Sequence, residues 1–216
     1  MTATPTPRPP ITAIVLAGGR ATRMGGIDKG LVELAGRPMI THVLAALAPQ
    51  VEQILINANR NLERYAAFGW PMAPDEETGF LGPLAGIVAG LHASDTPLVL
   101  TAPCDSPLVA PDLAHRLWQA LARDDADIAV AFDGEWLQPV FLLLKRDLLG
   151  SLEDYLGAGG RKIDRWFAQH RVAKADFSDC RQTFINVNDP GERAALEKQL
   201  LAAATPADQR RPDHKE

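Results

Sequence analysis

A cluster of glycines and cations near the start of the chain could hold a polyphosphate: Gly18, Gly19, Arg20, Arg23, Gly25, Gly26 and Lys29. They follow the apolar run 11–15, Ile-Thr-Ala-Ile-Val, which is short, rich in β-branched residues and preceded by prolines, and so predicts a buried first strand. A glycine-rich turn therefore leaves the end of a strand. Glycines there let the backbone approach a ligand closely, and successive N–H groups in such a turn form a concave anion site. The arginines and Lys29 add mobile cations to those fixed dipoles. The stretch is neither a P-loop, since no glycine starts the frame Gly, four residues, Gly-Lys-Ser/Thr, nor a Gly-x-Gly-x-x-Gly dinucleotide turn.

The elements that would position this cluster follow from the pattern of apolar residues. The chain has 216 residues, 46% hydrophobic and 23% charged, which suits one soluble α/β domain with a full core. Residues 1–10 carry prolines and no apolar period, so they predict a flexible lead. The domain then spans 11–203, and the polar stretch 204–216 predicts a disordered tail. Pro38 should open a helix with Met39, Ile40, Val43, Leu44 and Leu47 on one face, and Pro49 should stop it. A second strand is expected at 54–58 and a helix at 62–68. The alternation predicts parallel strands joined by right-handed crossovers.

After an acidic loop that begins at Asp75, the small-residue run GPLAGI enters a helix ending near His92, and a third strand follows at 97–102. The rigid turn Pro103-Cys104-Asp105-Ser106-Pro107 caps that strand. Ligands in open α/β sheets bind beyond the carboxyl ends of strands, so Asp105 should fall where the Gly18 turn also falls. Pro111 predicts the start of another helix. Strands at 127–132 and 136–144 should form a hairpin about Asp133-Gly134, adding an antiparallel element. Helices are expected at 148–156 and 163–167 around a second glycine-rich basic loop at 157–162, and short strands at 172–177 and 183–187. Asp189, Pro190 and Glu192 form a helix-start signal.

Net charge of -5 argues against broad nucleic-acid binding, which leaves anion binding to local loops. No eighteen-residue apolar stretch and no basic-then-apolar leader occur, so no membrane association and a cytoplasmic location are expected. Two cysteines, Cys104 and Cys180, lack zinc-ligand spacing, and no histidine adjoins Cys104 to make it a nucleophile.

The blocks LAGGRATRMGGIDKG, ILINAN, Asp75 ahead of GPLAGI, PCDSP, the QPV at 138–140, GRK at 160–162 and NVNDP stand in an order that resembles the molybdenum cofactor guanylyltransferases over about residues 11–200. Asp189 departs from the threonine expected there, though both residues cap helices. The resemblance implies a Rossmann-like three-layer α/β domain of the nucleotide-diphospho-sugar transferase kind, with a mainly parallel sheet. It also implies transfer of GMP from GTP to the terminal phosphate of molybdopterin, giving the guanine dinucleotide cofactor and pyrophosphate. Leu16, Ala17, Gly18, Gly19, Lys29, Asn57, Asp75 and Asp105 would contact GTP. Lys29, Arg23 and Asp105 would carry the chemistry, with Asp105 the ligand of Mg²⁺, which commonly takes one or two carboxylates besides waters and phosphates. Arg161, Lys162, Asn186 and Asn188 would face molybdopterin. Delivery proteins or recipient molybdoenzymes are the implied protein partners. A related cytidylyltransferase, a sugar-phosphate nucleotidyltransferase and a non-catalytic GTP or cofactor carrier are the competing readings; a carrier has no need of a Lys29 and Asp105 pair.

Overall fold

The computed structural model describes residues 8–18, 28–75, 82–187 and 190–204. Its strands are β1 (Ile11–Leu16), β2 (Glu33–Leu34), β3 (Arg37–Pro38), β4 (Gln53–Asn57), β5 (Leu98–Pro103), β6 (Ile128–Phe132), β7 (Leu137–Lys145) and β8 (Val172–Asp176). Its helices are α1 (Met39–Leu47), α2 (Leu62–Ala66), α3 (Pro83–Ala93), α4 (Leu113–Arg123), α5 (Leu149–Gly157), α6 (Ile163–Phe167) and α7 (Pro190–Ala204). Six strands make one sheet in the order β4-β1-β5-β7-β6-β8. Strand β1 runs parallel to β4 and β5, and β6 runs parallel to β8. Strand β7 is antiparallel to both its neighbours, so the hairpin predicted at Asp133-Gly134 enters the middle of the sheet rather than extending an edge. The expected Rossmann-like, mainly parallel α/β architecture is the one observed.

Both faces of the sheet are covered, which is why its strands read as continuous apolar runs. Ile11, Ala13 and Val15 of β1 pack with Ile40, Val43 and Leu47 of α1 and with Leu113 and Leu117 of α4. Ile14 points the other way, into a cluster with Leu84, Ile87 and Leu91 of α3, Leu152 of α5 and Trp166 of α6. Side chains alternate across a strand, so one short segment feeds two layers. Helix α7 adds Leu196 to a third cluster with Leu34, Met39 and Val187.

Several expectations change. Pro49 does not end a helix by itself: α1 stops at Leu47 and Pro49 sits inside the 3₁₀ turn Ala48–Gln50. Helix α4 starts at Leu113 rather than at Pro111. The strand expected at 183–187 is instead the 3₁₀ turn Arg181–Phe184 followed by extended chain. Its apolar residues anchor rather than pair. Phe184 stacks edge-on against Phe141 at 5.0 Å and Phe177 at 5.6 Å, while the Val187 amide donates to the Asp105 carbonyl at 3.0 Å. The β2–β3 ribbon was not foreseen; it turns through Ala35 (φ 50°) and Gly36 (φ 75°), two successive left-handed residues of the kind a tight hairpin requires. Of the lead, residues 1–7 lie outside the described residues, and Arg8 pairs with Glu52 at 2.8 Å. Most of the tail, 205–216, also lies outside them, and α7 closes the domain at Ala204. Among the described residues no helix is long and apolar enough to cross a membrane.

Candidate active site

Three parallel strands end level with one another, because Leu16 of β1 stands opposite both Asn57 of β4 and Pro103 of β5. The ladder continues one step further, with the Ala17 amide donating to the Asn57 carbonyl at 2.7 Å and the Cys104 amide to the Leu16 carbonyl at 3.0 Å. Leu16, Ala17, Gly18, Asn57 and Asp105 are thereby brought to one edge, the edge at which open α/β sheets bind ligands.

Asn57 is buried, with only 2% of its surface exposed, and its amide organises one half of the site. Its Nδ2 donates at 2.8 Å both to the Ala73 carbonyl and to Oδ1 of Asp75. Asn59 adds a reciprocal pair: its Nδ2 donates to Oδ2 of Asp75 at 2.7 Å, and its Oδ1 accepts from the Asp75 amide at 2.8 Å. The Asp75 carboxylate is therefore fixed by a donor on each oxygen, leaving further lone pairs for ligand donors. Gly86 explains the small-residue run ahead of it in sequence: a Cβ there would lie 2.3 Å from Oδ1 of Asn57, so helix α3 can close on this amide only through a glycine.

The other half is the pair Lys29 and Asp105. Lys29 Nζ donates to Asp105 Oδ2 at 2.9 Å, with the lysine side chain 31% and the aspartate side chain 14% exposed. A partly desolvated pair of this kind is held more firmly than one on the open surface. Ser106, fully buried, donates its hydroxyl to Oδ1 of Asn186, so the chain near 186 is tied to the Asp105 turn by this bond and by the Val187 amide. Beneath the pair lies Cys104, whose thiol is pushed well above its usual range by burial and by the neighbouring Asp105 and Asp28 carboxylates. It stays protonated, which fits the small buried thiol and not a nucleophile.

The structure thus unites Leu16, Ala17, Gly18, Lys29, Asn57, Asp75, Asp105 and Asn186. It does not join Arg161 and Lys162 to them by any bond among the described residues. The Arg161 guanidinium bonds to the Leu156 and Gly160 carbonyls, and the Lys162 carbonyl accepts from the Tyr155 hydroxyl, which ties the loop back to the end of α5. Gly19, Arg23 and Asn188 lie outside the described residues. Sequence reasoning passed over Asn59, although its spacing of two from Asn57 was a signal that the pair shares a side. It took in Asp28 only as part of the block LAGGRATRMGGIDKG, with no role of its own, and passed over Asn61 and Tyr65, for which no local pattern existed.

A model of the MobA-like NTP transferase domain matches residues 13–174. A molybdenum cofactor guanylyltransferase of Shewanella loihica is 50% identical over 192 residues, covering 89% of this chain and 98% of that protein. The chain belongs to the molybdenum cofactor guanylyltransferases. Another member of this family, from Shewanella amazonensis, is 51% identical over 190 residues, 88% of this chain and 97% of its own. The guanylyltransferase fold is shared with a molybdopterin-guanine dinucleotide biosynthesis protein A of Archaeoglobus fulgidus, with a TM-score of 0.73, 22% identity, and coverage of 88% and 99% of the two chains. It is shared as well with a 4-diphosphocytidyl-2C-methyl-D-erythritol synthase of Anaerococcus prevotii, at a TM-score of 0.67 and 15% identity over 89% and 96% of the chains. These two likenesses concern the fold alone, and a shared fold does not assign a substrate. The protein is accordingly a nucleotidyltransferase enzyme.

Proposed function

We propose that this guanylyltransferase transfers GMP from GTP to the terminal phosphate of molybdopterin, releasing pyrophosphate with Mg²⁺ as the accompanying cation. The observation that carries the reading is the Lys29 and Asp105 pair at 2.9 Å, set beside the Asn57 and Asp75 amide network at the ends of three parallel strands. In the reaction an oxygen of the acceptor phosphate forms a bond to the α-phosphorus of GTP. The bond from that phosphorus to the bridging oxygen breaks, and pyrophosphate leaves with the electron pair. The attacking oxygen is already anionic, so neutralisation and in-line positioning matter more than a general base.

Asp105 fits a magnesium site by the chemistry of its donors: a carboxylate that spends only Oδ2 on Lys29 keeps Oδ1 for a hard cation. Mg²⁺ commonly takes one or two carboxylates together with substrate phosphates and waters, so Asp105 alone can serve as the protein ligand. When bound, the ion would neutralise phosphate charge. Lys29 meets the charge that grows on the departing pyrophosphate, and Arg23 adds a second cation from the glycine-rich turn. The backbone of Leu16, Ala17, Gly18 and Gly19, with Asn57 and Asp75, holds the nucleotide. Asn186 and Asn188 offer amides to molybdopterin, and Arg161 and Lys162 supply charge for its phosphate from the neighbouring loop. The enzyme acts in the cytoplasm, where free thiols such as Cys104 and Cys180 persist, and hands its product to delivery proteins or recipient molybdoenzymes.

Calorimetric titration with Mg²⁺ present tests the choice of base. GTP should bind more tightly than CTP or ATP. Equal affinities, or a preference for CTP, would reject the guanylyl reading in favour of a cytidylyltransferase on the same scaffold.

A further inference from the structure

Lys29 is the one lysine that reaches Asp105 among the described pairs, yet it lies on a short turn with little regular structure of its own: Lys29–Leu31 is a single 3₁₀ turn. Its predecessor, Asp28, is gripped from another element. The Tyr65 hydroxyl donates to Asp28 Oδ1, and Asn61 Nδ2 donates to Asp28 Oδ2 at 2.9 Å. Tyr65 is completely buried in α2, and Asn61 precedes α2 in the left-handed region (φ 51°), a conformation asparagine tolerates better than most residues. The two oxygens of Asp28 are thus held by α2 and by the residue just before it, in the segment that follows the strand bearing Asn57.

The residue after Lys29 is pressed onto the same buried surface. A Cβ on Gly30 would stand 2.7 Å from the Tyr65 hydroxyl and 3.1 Å from Cys104 Sγ. Asp28 and Gly30 are therefore both seated, and the lysine between them has little freedom in where its backbone lies. Cys104 in turn adjoins Asp105, so the lysine and the carboxylate rest on one support. We propose that Asp28, clasped by Tyr65 and Asn61, is a positioning residue that sets Lys29 against Asp105 and holds the lysine in register for phosphoryl transfer. The inference rests on the role assigned to Lys29 above, but the placement of the amine can be measured apart from the reaction.

The test uses the full chain and the variants Tyr65→Phe, Asp28→Asn, Lys29→Ala and Lys29→Ala combined with Tyr65→Phe. Tyr65→Phe removes only the hydroxyl from the clasp. Single-turnover GMP transfer at saturating GTP should fall roughly 10-fold, since a misplacement of about 1 Å can cost up to 10²-fold, while GTP affinity changes less than about 3-fold. Asp28→Asn turns an amide group toward the Asn61 amide and should do the same. In the Lys29→Ala background the tyrosine change should cost no more than about 2-fold further, because residues acting through one group are not additive. A crystal structure of Tyr65→Phe should show the amine displaced from Oδ2 of Asp105.

An equal loss from Tyr65→Phe in both backgrounds would mark Tyr65 as a packing residue and overturn the proposal. So would a Tyr65→Phe crystal structure with Lys29 still at its place on Asp105. Normal transfer by Lys29→Ala is a separate result: it would remove the role of the lysine in the reaction, while the crystal structure would still decide whether the clasp places it. Melting temperatures of all variants, measured alongside, identify any loss that comes from unfolding.

Discussion

Asp105→Ala should lower turnover by at least about 10²-fold, and raised Mg²⁺ should restore only part of it, because the variant lacks the anionic oxygen proposed to hold the ion against the triphosphate. Asp105→Asn should do little better, since an amide oxygen carries no full charge. The substitution also strips Lys29 of its partner at 2.9 Å. With the lysine side chain 31% exposed, water can take over part of that role, and the cost in stability should stay near about 1 kcal/mol. Pre-steady-state GMP transfer as a function of Mg²⁺, with circular dichroism as the control for folding, checks both statements. Near-normal transfer by Asp105→Ala would remove its metal role.

Lys29→Ala should produce a loss of similar size by a different route. The charge that the lysine meets grows as pyrophosphate departs, so the amine stabilises the transition state more than bound GTP. Turnover should therefore fall on the order of 10²-fold or more, as for a deleted oxyanion donor, and the loss of GTP affinity should be smaller. A defect confined to affinity would reduce the lysine to a binding group. Because Lys29 and Asp105 touch, the double variant should lose less than the product of the single losses.

How much of this could be read in advance varies with the kind of signal. Strands β1, β4 and β5 were legible because a sheet covered on both faces leaves unbroken apolar runs. The convergence of Gly18 and Asp105 followed from the rule that ligands sit at the carboxyl ends of such strands, whereas Asn57 entered only through the family resemblance. The meeting of Lys29 with Asp105 spans 76 positions, and no local spacing encodes it. The same is true of Tyr65 and Asp28: a tyrosine on the buried face of a short helix looks like any core aromatic until its hydroxyl is followed to a carboxylate. The β2–β3 ribbon escaped notice because Ala35 occupies a left-handed turn position where asparagine or glycine is the usual sign. At 183–187 an apolar cluster suggested a strand, whereas Phe184 plugs the core beside Phe141 and Phe177 and leaves the chain free to carry Asn186 to the Asp105 turn. The Arg161 guanidinium bonds to the Leu156 and Gly160 carbonyls, a local arrangement that loop basicity alone does not encode.

The most direct test of the central claim is to incubate the protein with molybdopterin, molybdate and Mg²⁺ together with GTP, CTP or ATP in separate reactions, and to identify the released cofactor by mass. The guanine dinucleotide should form with GTP, with one pyrophosphate released for each, and neither CTP nor ATP should yield a dinucleotide at a comparable rate. A cytosine or adenine dinucleotide as the main product, or GTP recovered intact from a stable complex, would contradict it.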